Sequence, residues 1–333
     1  MEYIVGVDGG GTKTSATLAD ATGKVIGSGH GGPSNYQTIG LEKACHSIVT
    51  AITNAAKSAE TAYGVTRSDL DKRLIVVLGL AGADRSWDKQ NLKRELHARL
   101  PLNIARLIIE NDARIALAGA TGNQPGVVVI AGTGSIALGV NEQGQKARSG
   151  GRGPFLGDEG SGYAIGKAAL TAVLREYDGR GKPTALKDKI LAKLDIENPE
   201  GLIPLVYQGP LQRPEIARFA EIVLAEAIAG DHVSLAIVKA AAQELVEMIG
   251  AVIDDLGWKD EPALVAGIGG LLQPANLIWQ EILTLLANSY PLADFVPPLL
   301  PPTLGAILMG RDSLTEGIAL SDFADNLASS AVL

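Results

Sequence analysis

Among the 333 residues there is one cysteine, Cys45. A lone thiol can neither close an intrachain disulfide nor supply a four-cysteine metal site. It lies in the helical pattern Leu41–Ile48 and reads as a small core residue. No uninterrupted apolar run reaches the ~18 residues that a membrane-spanning helix requires. The amino-terminal Met-Glu-Tyr-Ile carries no basic segment and no apolar stretch after it, so no secretory signal is expected. The four histidines, His30, His46, His97 and His232, show no ligand spacing and receive no role. Positive charge is short as well: 29 Lys and Arg stand against 37 Asp and Glu, for a net charge of −8. That balance argues against a general binder of nucleic acid or of anionic membranes. A soluble, cytoplasmic protein is expected. Its 46% hydrophobic content belongs to a globular chain, long enough for two domains.

The chain is organised around Tyr3–Asp20. Tyr3–Val7 is a short apolar, β-branched run suited to a buried strand, and Asp8 ends it. Gly9-Gly10-Gly11, then Thr12-Lys13-Thr14, lead into a second alternating run, Ser15–Leu18, which together predict a hairpin. Glycines at a strand end let backbone N–H groups approach a ligand without an obstructing Cβ. Successive N–H groups in such a turn make an anion-binding concavity. Asp8 beside it suits a metal ion or its water shell. Two commoner phosphate patterns are missing here. Gly6 and Gly11 have the spacing of a P-loop, but Thr12 stands where that loop needs Lys. A dinucleotide-type glycine motif needs a helix after the turn, and Ser15–Leu18 reads as strand.

Further along, Lys24–Gly29 predicts a third strand, and Ser34 and Asn35 sit in the loop after it. From spacing alone these two serve a turn or cap the next helix, with sugar hydroxyls as the alternative partners. Gly40–Ala62 predicts a long helix, Arg73–Leu78 a buried strand, Trp87–Leu100 a helix, Ala105–Ile109 a strand and Ala113–Ala120 a helix. Ligands of such sheets gather at the carboxyl ends of parallel strands. Asp112, between a strand and a helix, is either an N-cap or a general base. After Pro125 the layout restarts: strand 127–130, the glycine turn Ala131–Ser135, strand 136–140 and a third strand 145–148. This reads as an internal duplication. A glycine-rich stretch, Ser149–Gly162, follows and is taken as a ligand loop, with Asp158-Glu159 in the first turn of the next helix as the plainer account. Residues 183–256 read as helices, and Glu261–Ala266 as a strand running into Gly267-Ile268-Gly269-Gly270. The domain organisation expected is 1–120 and 121–333, the latter with a helical insertion at about 178–230.

Six motifs, V-D-G-G-G-T-K-T (7–14), L-A-G-A-D (80–84), E-N-D-A (110–113), A-G-T-G-S (131–135), G-D-E-G-S (157–161) and A-G-I-G-G (266–270), resemble in this order the N-acetylglucosamine kinase branch of the BadF/BadG/BcrA/BcrD ATPases. The resemblance implies an α/β, duplicated ribonuclease-H-like fold of the actin-like ATPases, with two domains around a cleft. It implies ATP-dependent phosphorylation of an amino sugar, N-acetylglucosamine or glucosamine, at a hydroxyl such as the 6-OH. ATP and Mg²⁺ would be the cofactors, and a homodimer is a further expectation. Gly10, Gly11, Thr12 and Lys13 correspond to the first phosphate loop, Gly132, Thr133 and Gly134 to the second, and Gly267, Gly269 and Gly270 to the adenosine side. Asp8 corresponds to the acid holding Mg²⁺ through water, and Asp112 to the base. Asn35, Asp112, Gly150, Gly151 and Asp158 correspond to sugar contacts. Vertebrate members have a serine in the turn matching Leu80-Ala81-Gly82, where this chain offers backbone only. The redox activators of the same superfamily hold an iron–sulfur cluster with two cysteines from each of two subunits, and one cysteine per chain cannot do so. A nucleotide-dependent sensor without kinase activity is the remaining alternative from that superfamily. A dinucleotide oxidoreductase is disfavoured by the strand after Gly134.

Overall fold

A computed structural model describes residues 2–71, 73–83 and 85–330. The chain divides into two compact units, one of residues up to Gln124 and from Pro298 onward, the other Pro125–Pro297. The sequence reading put a boundary at 120 and left everything after it in one domain. The carboxyl-terminal stretch instead returns to the first unit.

The first unit begins with β1 (Tyr3–Gly9), β2 (Thr14–Asp20) and β3 (Val25–Gly31). Then come α1 (Tyr36–Ile39), α2 (Leu41–Tyr63), α3 (Arg67–Leu70), β4 (Leu74–Leu80), α4 (Ser86–Arg99), β5 (Arg106–Asn111) and α5 (Asp112–Ala120). The sheet order is β3-β2-β1-β4-β5. β1 pairs antiparallel with β2, and parallel with β4, which in turn pairs parallel with β5. Register puts Asp8 opposite Ser15 and Gly79, and Gly79 opposite Glu110. Asp8 and the start of α5 therefore share one end of the sheet.

Strand alternation divides the core of this unit into two layers. Tyr3, Val5, Val7, Leu74, Val76 and Leu78 pack in one cluster with Ile48, Ile52 and Ala55 of α2 and Leu92 and Leu96 of α4. Ile4, Ile75 and Val77 pack in the other. Burial on both faces is why β1 and β4 read as unbroken apolar runs. On β3 the residues facing α2 are Gly27, Gly29 and Gly31, where a Cβ would strike the carbonyls of Ala55, Ala51 and Ser47. Helix backbone thus rests directly on strand backbone.

The second unit repeats the plan with β6 (Gly126–Ala131), β7 (Ser135–Val140) and β8 (Lys146–Gly150), followed by α6 (Gly162–Tyr177). Helices α7 (Leu186–Leu194), α8 (Leu202–Tyr207), α9 (Arg213–Ala217), α10 (Phe219–Ile228) and α11 (His232–Asp255) come next. β9 (Ala263–Ile268), α12 (Leu277–Ser289) and β10 (Ala293–Val296) complete it. The order β10-β9-β6-β7-β8 is the first sheet's order read from the other edge, which bears out the duplication and the α/β fold. The short β10 is absent from the sequence reading.

Past Pro298 the chain forms α13 (Pro302–Arg311) and α14 (Leu320–Ser330). Leu304, Ile307 and Leu308 join Ile4, Ile75, Val77 and Ile115, with Phe323 and Leu327 of α14. Leu299 and Leu300 donate backbone hydrogen bonds to Ala120 and Gly119 at 3.2 and 3.0 Å. Together with α5 this segment packs on the second face of the first sheet, so it belongs with residues 300 positions earlier.

Candidate active site

In the first unit, the turn after β1 is closed by Gly10 N–H donating to the Lys13 carbonyl at 3.0 Å. Gly11, Thr12 and Lys13 are exposed at its tip, and a Cβ built on Gly11 would meet nothing within 4 Å. The Gly10 carbonyl accepts from Ser34 N–H (2.9 Å) and Asn35 N–H (3.2 Å), tying the loop after β3 to the turn. Ser34 is fully buried, with Oγ 2.8 Å from Thr14 Oγ1, so its role is structural. Asn35 is the N-cap of α1 and accepts from Gln37 N–H through Oδ1 at 3.1 Å.

Asp8 and Asp112 are both half-buried at this sheet end. Burial, then the negative charge of Asp112, push the Asp8 carboxyl up to about 6, with Lys13 opposing. The N-cap of α5 is Asn111, whose Oδ1 accepts from Ala113 N–H at 2.8 Å, so Asp112 is the first helical residue and not the cap. Its own Oδ1 lies 2.9 Å from the same N–H. Nearby, Glu110 pairs with Lys89 at 2.7 Å. Burial lowers the Arg114 guanidinium from its usual value, with Glu110 opposing. The turn after β4 is engaged from two sides. Ala81 N–H donates to the Gly9 carbonyl at 2.9 Å, and the Gly82 carbonyl accepts from Tyr36 Oη and Gln37 Nε2, each at 3.1 Å. Asp84, the last residue of that motif, lies outside the described residues.

In the second unit, Gly132-Thr133-Gly134 link β6 and β7. Gly132 N–H donates to the Gly134 carbonyl at 2.9 Å, and Gly162 N–H, opening α6, donates to the Gly132 carbonyl at 2.8 Å. Thr133 is exposed, and a Cβ on Gly132 would meet nothing within 4 Å. Gly134 is different: its Cβ would lie 2.6 Å from Arg213 Nη2 and 3.0 Å from Asp158 Oδ1. Asp158 is buried, sits in the left-handed region at φ 70°, accepts from Ser135 N–H at 3.4 Å and pairs with Arg213. It does not open a helix, contrary to the plainer reading. Ser161 caps α6, accepting from Ala164 N–H at 3.2 Å. Gly150, the last residue of β8, and Gly151 have φ of 71° and 66°, and the Gly151 carbonyl accepts from Arg148 Nη2 at 2.7 Å.

The three glycines after β9 divide. Gly267 is buried against Trp279 and Phe295, whose ring centroids stand 4.2 Å apart, so it serves packing. Gly269, at φ 117°, brings the chain onto the backbone of Ala131, and only Gly270 faces open space. Sequence reasoning missed Arg213 altogether. Pro214 signals a helix start there, but nothing local says that the guanidinium reaches Gly134.

The donor set suits a hard cation held mostly by water and phosphate oxygens. Among the described residues no three or more His, Cys, Asp or Glu cluster as a metal site. What is present is a carboxylate whose charge is disfavoured first by burial and then by a second carboxylate, a situation that a cation relieves. No helix among the described residues is long and apolar enough to cross a membrane.

Residues 5–310 match the model of the BadF/BadG/BcrA/BcrD ATPase family. The chain belongs to this family. Among its relatives, this BadF/BadG/BcrA/BcrD-family ATPase is 34% identical to the N-acetylmuramic acid/N-acetylglucosamine kinase of Clostridium acetobutylicum over 93% of this chain and 99% of that one. It is also 34% identical to the N-acetyl-D-glucosamine kinase of Dictyostelium discoideum, over 94% and 98%. A solved structure from Chromobacterium violaceum superposes with a TM-score of 0.74 at 25% identity, covering 93% of this chain and 99% of that one.

Proposed function

We propose that this family member is an ATP-dependent amino-sugar kinase that transfers the terminal phosphoryl group of ATP to the 6-hydroxyl of N-acetylglucosamine or a closely related hexosamine. The observation that carries the reading is the Asp8–Asp112 pair beside an exposed glycine turn. Relatives named as kinases of this substrate class, at 34% identity over nearly full length, support it.

In this reading Asp112 accepts the proton of the attacking hydroxyl and orients its oxygen. Asp8 would hold Mg²⁺. The turns Gly10-Gly11-Thr12-Lys13 of the first unit and Gly132-Thr133-Gly134 of the second border phosphate oxygens, with the Thr12, Lys13 and Thr133 side chains among the donors. Gly269 and Gly270 border the adenosine, with Gly267 supporting them from the core. Asn35, Gly150 and Gly151 meet sugar hydroxyls, whereas Asp158, buried and held by Arg213 and Ser135 N–H, stands behind them. Mg²⁺, when bound, neutralises charge on the phosphates. Phosphoryl transfer proceeds through a loose transition state, so positioning and electrostatics do most of the catalysis. Magnetic resonance of the product formed from ATP and N-acetylglucosamine tests the regiochemistry. A 6-phosphate is expected, and phosphate on any other carbon refutes the 6-hydroxyl assignment.

A further inference from the structure

Arg213 lies outside every motif read from the sequence, yet its guanidinium rests on the backbone of the second glycine loop. The site is built within one unit. A Cβ at Gly134 would meet Arg213 Nη2 at 2.6 Å and Asp158 Oδ1 at 3.0 Å, so the guanidinium and the carboxylate both lie against this glycine. Asp158, with its side chain only 5% exposed, holds the guanidinium on one side, and the Arg213 side chain as a whole is 39% exposed. The Asp158 carboxylate is also fixed by Ser135 N–H, the first residue after the loop. Arg213 Nε is buried and has no hydrogen-bond partner in the protein.

A guanidinium offers five N–H donors in a rigid fork and never loses its charge. One carboxylate uses only part of that fork. Neutralising Asp158 needs no contact with the glycine loop, yet the guanidinium lies against Gly134 and part of the Arg213 side chain is exposed. The neighbouring Gly132 and Thr133 lead into open space on the same loop. A loop of N–H groups with a fixed cation at its rim is complementary to a polyphosphate, where charge on transferring oxygens is what must be stabilised.

We infer that Arg213 contacts the β- or γ-phosphate of the nucleotide at the second glycine loop, with Asp158 fixing the guanidinium in position. The inference rests on the reading of this loop as a nucleotide-phosphate site. It adds a phosphate-contacting residue supplied by the helical segment between α8 and α10.

The test compares binding of ADP and AMP to the full-length protein, without sugar, by calorimetry, in wild type, Arg213→Ala, Arg213→Lys and the pair Arg213→Ala with Asp158→Asn. The expected result is ADP affinity about tenfold or more lower in Arg213→Ala with AMP affinity unchanged. The double variant should show the same loss, and added guanidinium ion at millimolar concentration should restore part of it. Turnover with ATP and N-acetylglucosamine should fall by about 10²-fold in Arg213→Ala with the sugar KM unaltered. If Arg213→Ala does not fold, Arg213→Lys carries the test. It keeps the charge but not the fork, so weaker ADP binding is expected, and wild-type ADP affinity and turnover overturn the inference. Equal losses for ADP and AMP, or recovery of ADP affinity in the double variant, also overturn it and leave Arg213 as a structural partner of Asp158. Wild-type protein that binds neither nucleotide overturns the nucleotide-site reading itself, and the inference with it.

Discussion

Asp8 and Asp112 share one sheet end, and their proximity makes stability and activity pull in opposite directions. Asp8 titrates near 6 in the folded protein, above its ordinary 3.8, because burial and then Asp112 disfavour its charge. The unfolded chain therefore releases this proton first as pH rises. Stability contributed by the protonated form is present below about pH 4 and lost as pH climbs through 6, by an amount on the order of 3 kcal/mol. Asp8→Asn removes that loss. The variant should melt higher than the parent at pH 7.5 without nucleotide, and no higher at pH 4, while its activity loses the wild-type dependence on Mg²⁺ concentration. A variant that melts no higher at pH 7.5, or keeps that Mg²⁺ dependence, would contradict the assignment. Asp112→Asn tests the other half of the pair. Turnover should drop by roughly 10²-fold or more while sugar affinity survives; a variant retaining most of its turnover would remove Asp112 from the base role.

At the level of elements, the glycine stripe of β3 sets how α2 sits. Gly29→Ala forces a methyl group into the carbonyl of Ala51, with no flexible side chain to give way. Overpacking of this kind costs about 1–3 kcal/mol or more, so chemical denaturation should show a clearly lower midpoint for Gly29→Ala. An unchanged midpoint would mean that α2 can lift off the sheet freely. Strands and turns were legible in the sequence where signals are local. β1 and β4 are short, doubly buried apolar runs that continue past Asp8 and Gly79 before their glycine turns, and each ends within two residues of its expected limit. The repeat of strand, glycine turn and strand in the second unit was legible for the same reason. Legibility failed where partners are distant. Asp158 lies 55 residues from Arg213, so its ion pair leaves no trace in the local pattern, and its left-handed backbone gave way to a capping signal. At α5 the local pattern offers Asp112 as the cap, but Asn111 takes it and Asp112 becomes the first helical residue. β10 has four residues, too few for any periodicity.

At the scale of the molecule, the division of the chain is the feature that local reading could not reach. α13 carries an ordinary apolar helical pattern, and nothing in it says that its partner is β1, placed some 300 residues earlier. The second unit, Pro125–Pro297, is one continuous segment with its own sheet and core. The first needs two segments, since Leu304, Ile307 and Leu308 cover Ile4, Ile75 and Val77. A fragment of residues 125–297 should therefore unfold cooperatively by itself, while residues 1–124 alone should be unfolded or aggregated. Cooperative melting of the 1–124 fragment would show that α13 is dispensable to its core. The central claim concerns chemistry, and one measurement reaches it most directly: ADP release by the purified protein with Mg²⁺ and ATP across N-acetylglucosamine, glucosamine, N-acetylmannosamine and plain glucose. The account predicts ADP release that depends on sugar, strongest with an amino sugar and largely lost in Asp112→Asn. ADP release that ignores every sugar would contradict it and leave a nucleotide hydrolase.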